Sequence, residues 1–164
     1  DRPAFIERIK GEIAVYKRRA EKNNRKLVVR LNGVTDIDYP AHVFESFPTL
    51  TFYDYTKSPQ RMSKYLCREG NSFPKNYHLT FSYSGEKNLE ESKNVLKAGG
   101  NVAVVFSSDS FPKRWLGFPV VSGEESDLRF LDPQGGYVIG LKAKGKASHK
   151  DAGSFVIQIE RGKL

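Results

Sequence analysis

The chain has 164 residues, enough for one domain that buries a core without disulfides or a structural metal. Its 38% apolar content, with 11 Phe and 8 Tyr, excludes a disordered chain, and its single cysteine, Cys67, excludes an intrachain disulfide and a multi-cysteine zinc site. The net charge is +8, and no apolar run approaches the ~18 residues that a membrane span needs. We therefore expect a cytoplasmic domain without membrane contact.

The chain begins with a pattern that predicts an amphipathic helix over residues 3–23. Pro3 suits a first helical turn, and apolar side chains recur at helical spacing at Phe5, Ile6, Ile9, Ile13 and Tyr16. Cations near the end of this segment favour its C-terminus through the helix dipole.

Seven short apolar runs follow, and each predicts a strand. They are Leu27–Asn32, Leu50–Tyr55, Tyr77–Ser82, Val102–Phe106, Leu128–Leu131, Tyr137–Leu141 and Ser154–Ile159. Three predicted helices separate the first four strands, over Pro40–Phe47, Ser58–Leu66 and Asn88–Ala98.

Alternating strands and helices favour parallel pairing with right-handed crossovers, as in a doubly wound sheet or a barrel. Residues 118–159 are rich in strands and turns and poor in helix, which predicts a β-rich closure or a partly antiparallel edge. We therefore expect a single α/β domain over residues 1–164, a partial or distorted (β/α) barrel-like domain with a β-rich C-terminal part.

Alternate side chains of five predicted strands become polar toward the C-terminal end of the strand. If these rows share one side of a barrel, they meet at its C-terminal mouth, where barrel enzymes place catalytic groups. The competing interpretation is that strands simply run into polar loops. The residues concerned are Arg30, Asn32, Asp54, Thr56, His78, Thr80, Ser82, Asp132 and Lys142.

A pocket at this mouth would bind an anionic or phosphate-bearing ligand, and the residues that line it would have different roles. Arg30 and Lys142 would contact the anion, and Asp54 and Asp132 would act as acid–base or cation-binding groups. Asn32, Thr56 and Ser82 would orient the ligand, and Lys57 would add an ammonium before a helix N-terminus. Whether the domain is an enzyme stays open.

Other candidate sites have weaker support in the sequence. Asp36 and Asp38 would bind a cation or cap the helix after Pro40, and capping or turn formation is favoured over cation binding. No pair of histidines has metal-ligand spacing, and no segment matches a nucleotide-binding fingerprint, so no metal or nucleotide cofactor is predicted.

The excess positive charge lies at the two ends of the chain. Residues 1–30 carry ten basic and four acidic side chains, and residues 142–164 carry six and two. If the fold brings the ends together, they form a phosphate-attracting surface, which predicts a non-catalytic protein that binds nucleic acid or a host factor; otherwise they are ordinary solvated faces. The nucleic-acid candidates are Arg18, Arg19, Lys22, Lys144 and Lys146.

Six motifs in the same order resemble a known family over nearly the whole chain. They are VRLNG from Val29, FYDYTK from Phe52, HLTFS from His78, NVAVVF from Asn101, DLRFLDP from Asp127 and GLKAKG from Gly140. The family is a phage and plasmid group that includes the mycobacteriophage gene-product-88-like proteins. The resemblance implies a phage-type protein in the host cytoplasm, but it implies no activity.

Members of that family also carry an N-terminal region rich in cysteines. The resemblance therefore implies that this chain lacks the first portion of a larger barrel-like protein. Cysteine clusters ahead of a barrel allow an analogy with iron–sulfur or radical enzymes. Because this chain would supply only pocket walls in such a protein, its cofactor is left unknown.

Overall fold

The computed structural model describes residues 1–67, 73–108, 110–145 and 153–159. Within these ranges the helices are α1 (Arg2–Lys22), α2 (Ala41–Glu45), α3 (Pro59–Cys67) and α4 (Leu89–Lys97). The strands are β1 (Val28–Val29), β2 (Thr51–Thr56), β3 (Tyr77–Ser82), β4 (Val102–Phe106), β5 (Arg114–Trp115), β6 (Phe118–Ser122), β7 (Val138–Lys142) and β8 (Val156–Ile157). Two 3₁₀ turns, Glu86–Asn88 and Arg129–Leu131, precede α4 and β7.

The eight strands form one largely parallel sheet in the order β1-β2-β3-β4-β7-β6-β5, and β8 pairs with the end of β4. Only β5 and β6 pair in the antiparallel sense. The predicted parallel α/β arrangement of the first four strands is confirmed, as is the partly antiparallel edge.

The expected barrel-like domain is confirmed only as a mixed α/β fold, because the sheet is open within the described ranges. Its two end strands are β1 and β5, and they do not pair with each other within the described ranges. Since β5 is two residues long and closes a hairpin against β6, it presents little backbone to any further strand.

The register of β2 and β3 separates their side chains into two faces. Phe52 lies opposite Tyr77 in the ladder, and both rings pack against Phe44 of α2, with ring centroids 5.1 and 4.3 Å from it. On the other face, Tyr53 and His78 both lie 5.9 Å from the ring of Phe130. Helices α2 and α3 therefore cover one face, and the 3₁₀ turn Arg129–Leu131 covers part of the other.

That 3₁₀ turn replaces the strand predicted over Leu128–Leu131. The Arg129 side chain is buried, and its guanidinium donates hydrogen bonds to the carbonyl oxygens of Gly123 and Ser126. A backbone that turns so that its carbonyl oxygens bond to Arg129 cannot also take the extended conformation that a β-ladder needs. The alternation of Leu128 and Phe130 misled the prediction.

The structure also contains a hairpin, β5–β6, that the sequence did not predict. Its two-residue turn is Leu116-Gly117, and both residues have positive φ, 51° and 83°. Asn-Gly or Asp-Gly is the usual signal for such a turn, and a leucine in the first position hides it.

No helix in the described part of the chain has the length and apolar character needed to cross a membrane. The cytoplasmic location stays a prediction.

Candidate functional site

A cleft of about 540 Å³ opens at the carboxyl ends of β1, β2 and β3. Parallel pairing brings these three ends to one edge of the sheet, as the sequence analysis expected for polar strand ends. Five of the residues predicted to bind ligand lie in its wall. The lining is Arg30, Asn32, Gly33, Val34, Thr35, Asp36, Tyr55, Thr56, Lys57 and Ser82.

Two exposed cations in the cleft wall, Arg30 and Lys57, are not neutralised by carboxylates. The guanidinium carbon of Arg30 lies 4.8 Å from the ring centroid of Tyr55, a cation–π contact that holds the side chain in place. Within the described ranges neither cation forms an ion pair. Both charges therefore remain available to an anion that enters the cleft.

Beneath this cleft, Arg61 of α3 is the centre of a buried polar network. Its side chain is 3% exposed, and Nη1 donates to Oδ1 of Asp36 at 2.6 Å. Nη2 donates to Oδ2 of Asp54 at 3.3 Å and to the hydroxyl oxygen of Tyr77. Burying a guanidinium is costly unless carboxylates pair with it, and here two of them do.

Asp54 connects this network to the loop that forms one wall of the cleft. Its Oδ1 accepts the backbone N–H of Asn32 at 2.9 Å, and its Oδ2 accepts the Asn32 amide at 3.1 Å. The amide oxygen of Asn32 in turn accepts the N–H of Ile37 at 2.9 Å and the hydroxyl of Thr35 at 2.8 Å. The buried carboxylate thus fixes the conformation of residues 32–37.

The net pKa shifts of the acidic groups in this network differ in direction. Burial raises the pKa of Asp54 above its ordinary value, against the lowering effect of Asn32 and Arg61, and burial likewise raises the pKa of Tyr77. Although burial acts in the same direction at Asp36, the Lys57 N–H, the Thr56 hydroxyl and Arg61 outweigh it and lower that pKa.

The structure does not bring the two predicted catalytic carboxylates together. Asp54 is 1% exposed on the helix-covered face of the sheet, and it does not line the cleft. Asp132 follows the 3₁₀ turn on the other face, where its Oδ2 lies 3.4 Å from Nε of Arg129 without hydrogen-bonding geometry. Their catalytic role stays a prediction.

Lys142 lies outside the cleft, in a separate cavity of about 240 Å³ after β7. Tyr55 lines both cavities and so forms a wall between them. The nucleic-acid candidate Lys144 lines the same cavity, and its ammonium is 2.8 Å from Oε2 of Glu124.

The described nucleic-acid candidates from the two ends of the chain lie at opposite edges of the sheet. Arg18, Arg19 and Lys22 are exposed near the C-terminus of α1, just before β1 begins, whereas Lys144 follows the end of β7. Because β1 and β7 belong to the same parallel set, these positions are far apart. Lys146 lies outside the described residues. Binding of nucleic acid stays a prediction.

Sequence reasoning missed Arg61 and Tyr77 and misread the two aspartates after β1. Asp36 and Asp38 do not cap α2, which has no side-chain cap; Asp36 pairs with Arg61, and Asp38 lies 3.3 Å from Lys64. A signal for Arg61 exists, since it stands one turn before Tyr65 on the buried stripe of α3. The described ranges contain no cluster of acidic, His or Cys side chains suited to a metal ion.

Comparison with known proteins gives one match. Residues 1–158 match a protein-family model described as gene product 88. No curated protein and no solved structure matches the chain.

Proposed function

Starting from the gene product 88 family, to which the chain belongs, we propose that it binds a small phosphate-bearing ligand in the cleft at the ends of β1, β2 and β3. The family description names no activity, so the proposal rests on the site. Its main support is the placement of two unneutralised cations, Arg30 and Lys57, in one cleft with Tyr55.

The chemistry of the lining suits a phosphate group. Arg30 offers a planar set of N–H donors, Lys57 offers a point charge, and Ser82 adds a hydroxyl. The volume of about 540 Å³ falls in the range of roughly 300–1,000 Å³ that is common for small-ligand pockets.

The one carboxylate in the wall, Asp36, is neutralised within the protein. It accepts hydrogen bonds from Arg61, from the Thr56 hydroxyl at 2.8 Å and from the Lys57 N–H at 2.8 Å. Its repulsion of a bound anion is therefore weakened, and the cations dominate the cleft.

The proposal is a binding function. Asp54 and Asp132 have no part in it, because neither side chain lines the cleft. Asn32 and Thr56 do line it, but their polar groups are engaged with Asp54 and Asp36, so they shape the wall rather than contact the phosphate.

The test is calorimetric titration of the full chain with inorganic pyrophosphate. We expect Arg30→Ala and Lys57→Ala each to weaken binding by about tenfold, since a hydrogen bond to a charged group contributes about 1.5–3 kcal/mol and 1.4 kcal/mol is a factor of ten. Lys87→Ala/Lys97→Ala, which changes two exposed lysines outside the cleft, is the control.

The proposal fails if the unaltered chain gives no binding heat, or if the control variant weakens binding as much as the cleft variants do. Circular dichroism spectra of all variants show whether a loss comes from misfolding instead.

The competing function, binding of nucleic acid or a host factor through the basic ends, has a different signature. Nucleic-acid affinity would fall steeply with salt concentration and would depend on Arg18, Arg19 and Lys22. It would survive Arg30→Ala. Electrophoretic mobility shifts with single- and double-stranded DNA at two salt concentrations distinguish the two functions.

A further inference from the structure

A second, larger cavity lies at the opposite edge of the sheet from the proposed ligand site. It has a volume of about 710 Å³ and lies between the end of α1, the starts of β1 and β2, and the 3₁₀ turn Arg129–Leu131. We call it the N-edge groove. Its apolar lining consists of Ala20, Leu27, Val28, Leu50, Leu128, Phe130 and Leu131.

The apolar lining of the N-edge groove is exposed to solvent at Leu131 and packed against other aromatic rings at Phe130. Leu131 is 64% exposed, the largest exposure of any described leucine that lines this groove. Phe130 packs edge-on against Tyr53 and in a tilted contact against His78. An exposed aliphatic side chain beside a preformed apolar cavity is typical of a surface that a partner covers.

The rim of the N-edge groove is basic. Lys17, Arg25 and Lys26 line it, and the one carboxylate among the lining residues, Glu21, is 3.0 Å from Lys17. Arg25 and Lys26 are exposed and make no ion pair within the described ranges. The rim therefore presents two unneutralised cations next to an apolar depression.

We propose that the N-edge groove docks an acidic polypeptide segment that carries a large apolar side chain. The apolar side chain enters the groove beside Leu131, and flanking carboxylates pair with Arg25 and Lys26. Charge complementarity selects an acidic partner, because the groove offers unpaired cations and no unpaired carboxylate in its described lining.

A protein segment fits this groove better than a nucleic acid does. Proteins that bind single strands stack bases on open aromatic faces. Among the described residues that line the groove, Phe130 is the only aromatic one, and it already packs against Tyr53 and His78. Aliphatic walls instead suit the anchor side chains of a peptide.

The test is a selection of random displayed peptides on the immobilised full chain, followed by fluorescence anisotropy of the enriched peptides. We expect the enriched sequences to combine Asp or Glu with a Leu, Ile or Phe. Arg25→Glu/Lys26→Glu should weaken their binding by tenfold or more, as should Leu131→Asp. Lys87→Glu/Lys97→Glu makes the same charge change away from the groove and should leave binding within a factor of two.

Three outcomes overturn the proposal. The first is that the enriched peptides lack acidic residues, and the second is that the groove variants and the control variant bind these peptides equally well. The third is that an oligothymidylate binds the chain more tightly than the peptides do, and that its affinity falls in Arg25→Glu/Lys26→Glu but not in Leu131→Asp. The last outcome would assign the rim to nucleic acid. Pyrophosphate binding should be unchanged in Leu131→Asp, which keeps this test separate from that of the cleft.

Discussion

Two groups of charged side chains lie at the same edge of the sheet, and they differ in burial and in pairing. Arg61 is 3% exposed and bonded to Asp36, Asp54 and Tyr77. Arg30 and Lys57 are exposed and lack carboxylate partners in the described structure. The comparison shows that the buried group shapes the cleft, whereas the open group is free to contact what enters it.

Substitutions in the buried group should lower the free energy of unfolding several times more than substitutions in the exposed group. Removing one partner of a buried ion pair leaves an uncompensated charge in a low-dielectric environment. Removing an exposed cation changes stability very little. Four sets of variants test this difference, beginning with the largest expected effect.

Arg61→Met should lower the free energy of unfolding by about 3–5 kcal/mol, because Asp54 then remains buried without its cation. Urea denaturation followed by circular dichroism measures the loss. Arg61→Met/Asp54→Asn should recover part of it, since the double variant no longer buries an unpaired carboxylate. If Arg61→Met lowered the free energy of unfolding by less than Arg30→Met does, the structural role of the network would be contradicted.

Asn32→Ala should lower the free energy of unfolding by about 1–3 kcal/mol, the cost of leaving buried hydrogen-bonding groups unsatisfied. It removes the amide that bridges Asp54 and Ile37. The same variant should weaken pyrophosphate binding, because the cleft wall loses its fixed conformation. Asn94→Ala, at an exposed position of α4, is the matched control and should do neither.

The two aspartates should respond to pH in opposite directions. The pKa of Asp54 is raised above 3.8, so its contribution to stability is complete below pH 3.8 and is lost as pH rises through its folded-state pKa. The pKa of Asp36 is lowered, so its contribution is complete above pH 3.8 and is lost as pH falls through its folded-state pKa.

Urea denaturation on both sides of pH 3.8 measures these responses as differences from the unaltered chain. The stability advantage of the unaltered chain over Asp54→Asn should shrink as pH rises, and its advantage over Asp36→Asn should grow. Slopes of the same sign would show that the two carboxylates have similar environments, contrary to the structure.

Arg30→Ala/Lys57→Ala should change the free energy of unfolding by less than about 1 kcal/mol, because both side chains are exposed and unpaired. The same double variant should lose most of its pyrophosphate affinity. A large loss of stability in this variant would show that Arg30 and Lys57 stabilise the fold as Arg61 does, and the two groups of charges would then not differ in this respect.

Much of the fold follows from local sequence patterns. The predicted strands Tyr77–Ser82 and Val102–Phe106 have the bounds that the structure shows, and all four helices occur within a few residues of their predicted bounds. Five cleft residues were named correctly as neighbours, because parallel pairing necessarily brings strand ends to one edge. The strand predicted at Leu128–Leu131 was wrong, and the described sheet does not close as a barrel.

The errors share a cause, which is that they concern which polar side chains become buried and what they bond to. The alternation at Leu128 and Phe130 resembles a strand, yet the turn forms because Arg129 bonds to Gly123 and Ser126. Asp54 was expected at the mouth of the pocket, yet it is enclosed by Asn32 and Arg61 beneath the cleft. No local sequence pattern indicates which polar side chain will be buried.

The sequence by itself therefore determined the family, the helices, most strands and the polar character of the strand ends. Hydrophobic periodicity and turn-forming residues act over a few positions, so they can be read along the chain. The tertiary structure alone decided that the sheet stays open, that Arg61 and Asp54 are buried together and that Arg30 and Lys57 are not. Burial and pairing depend on which segments meet in space, and it is burial that separates a structural charge from one available for binding.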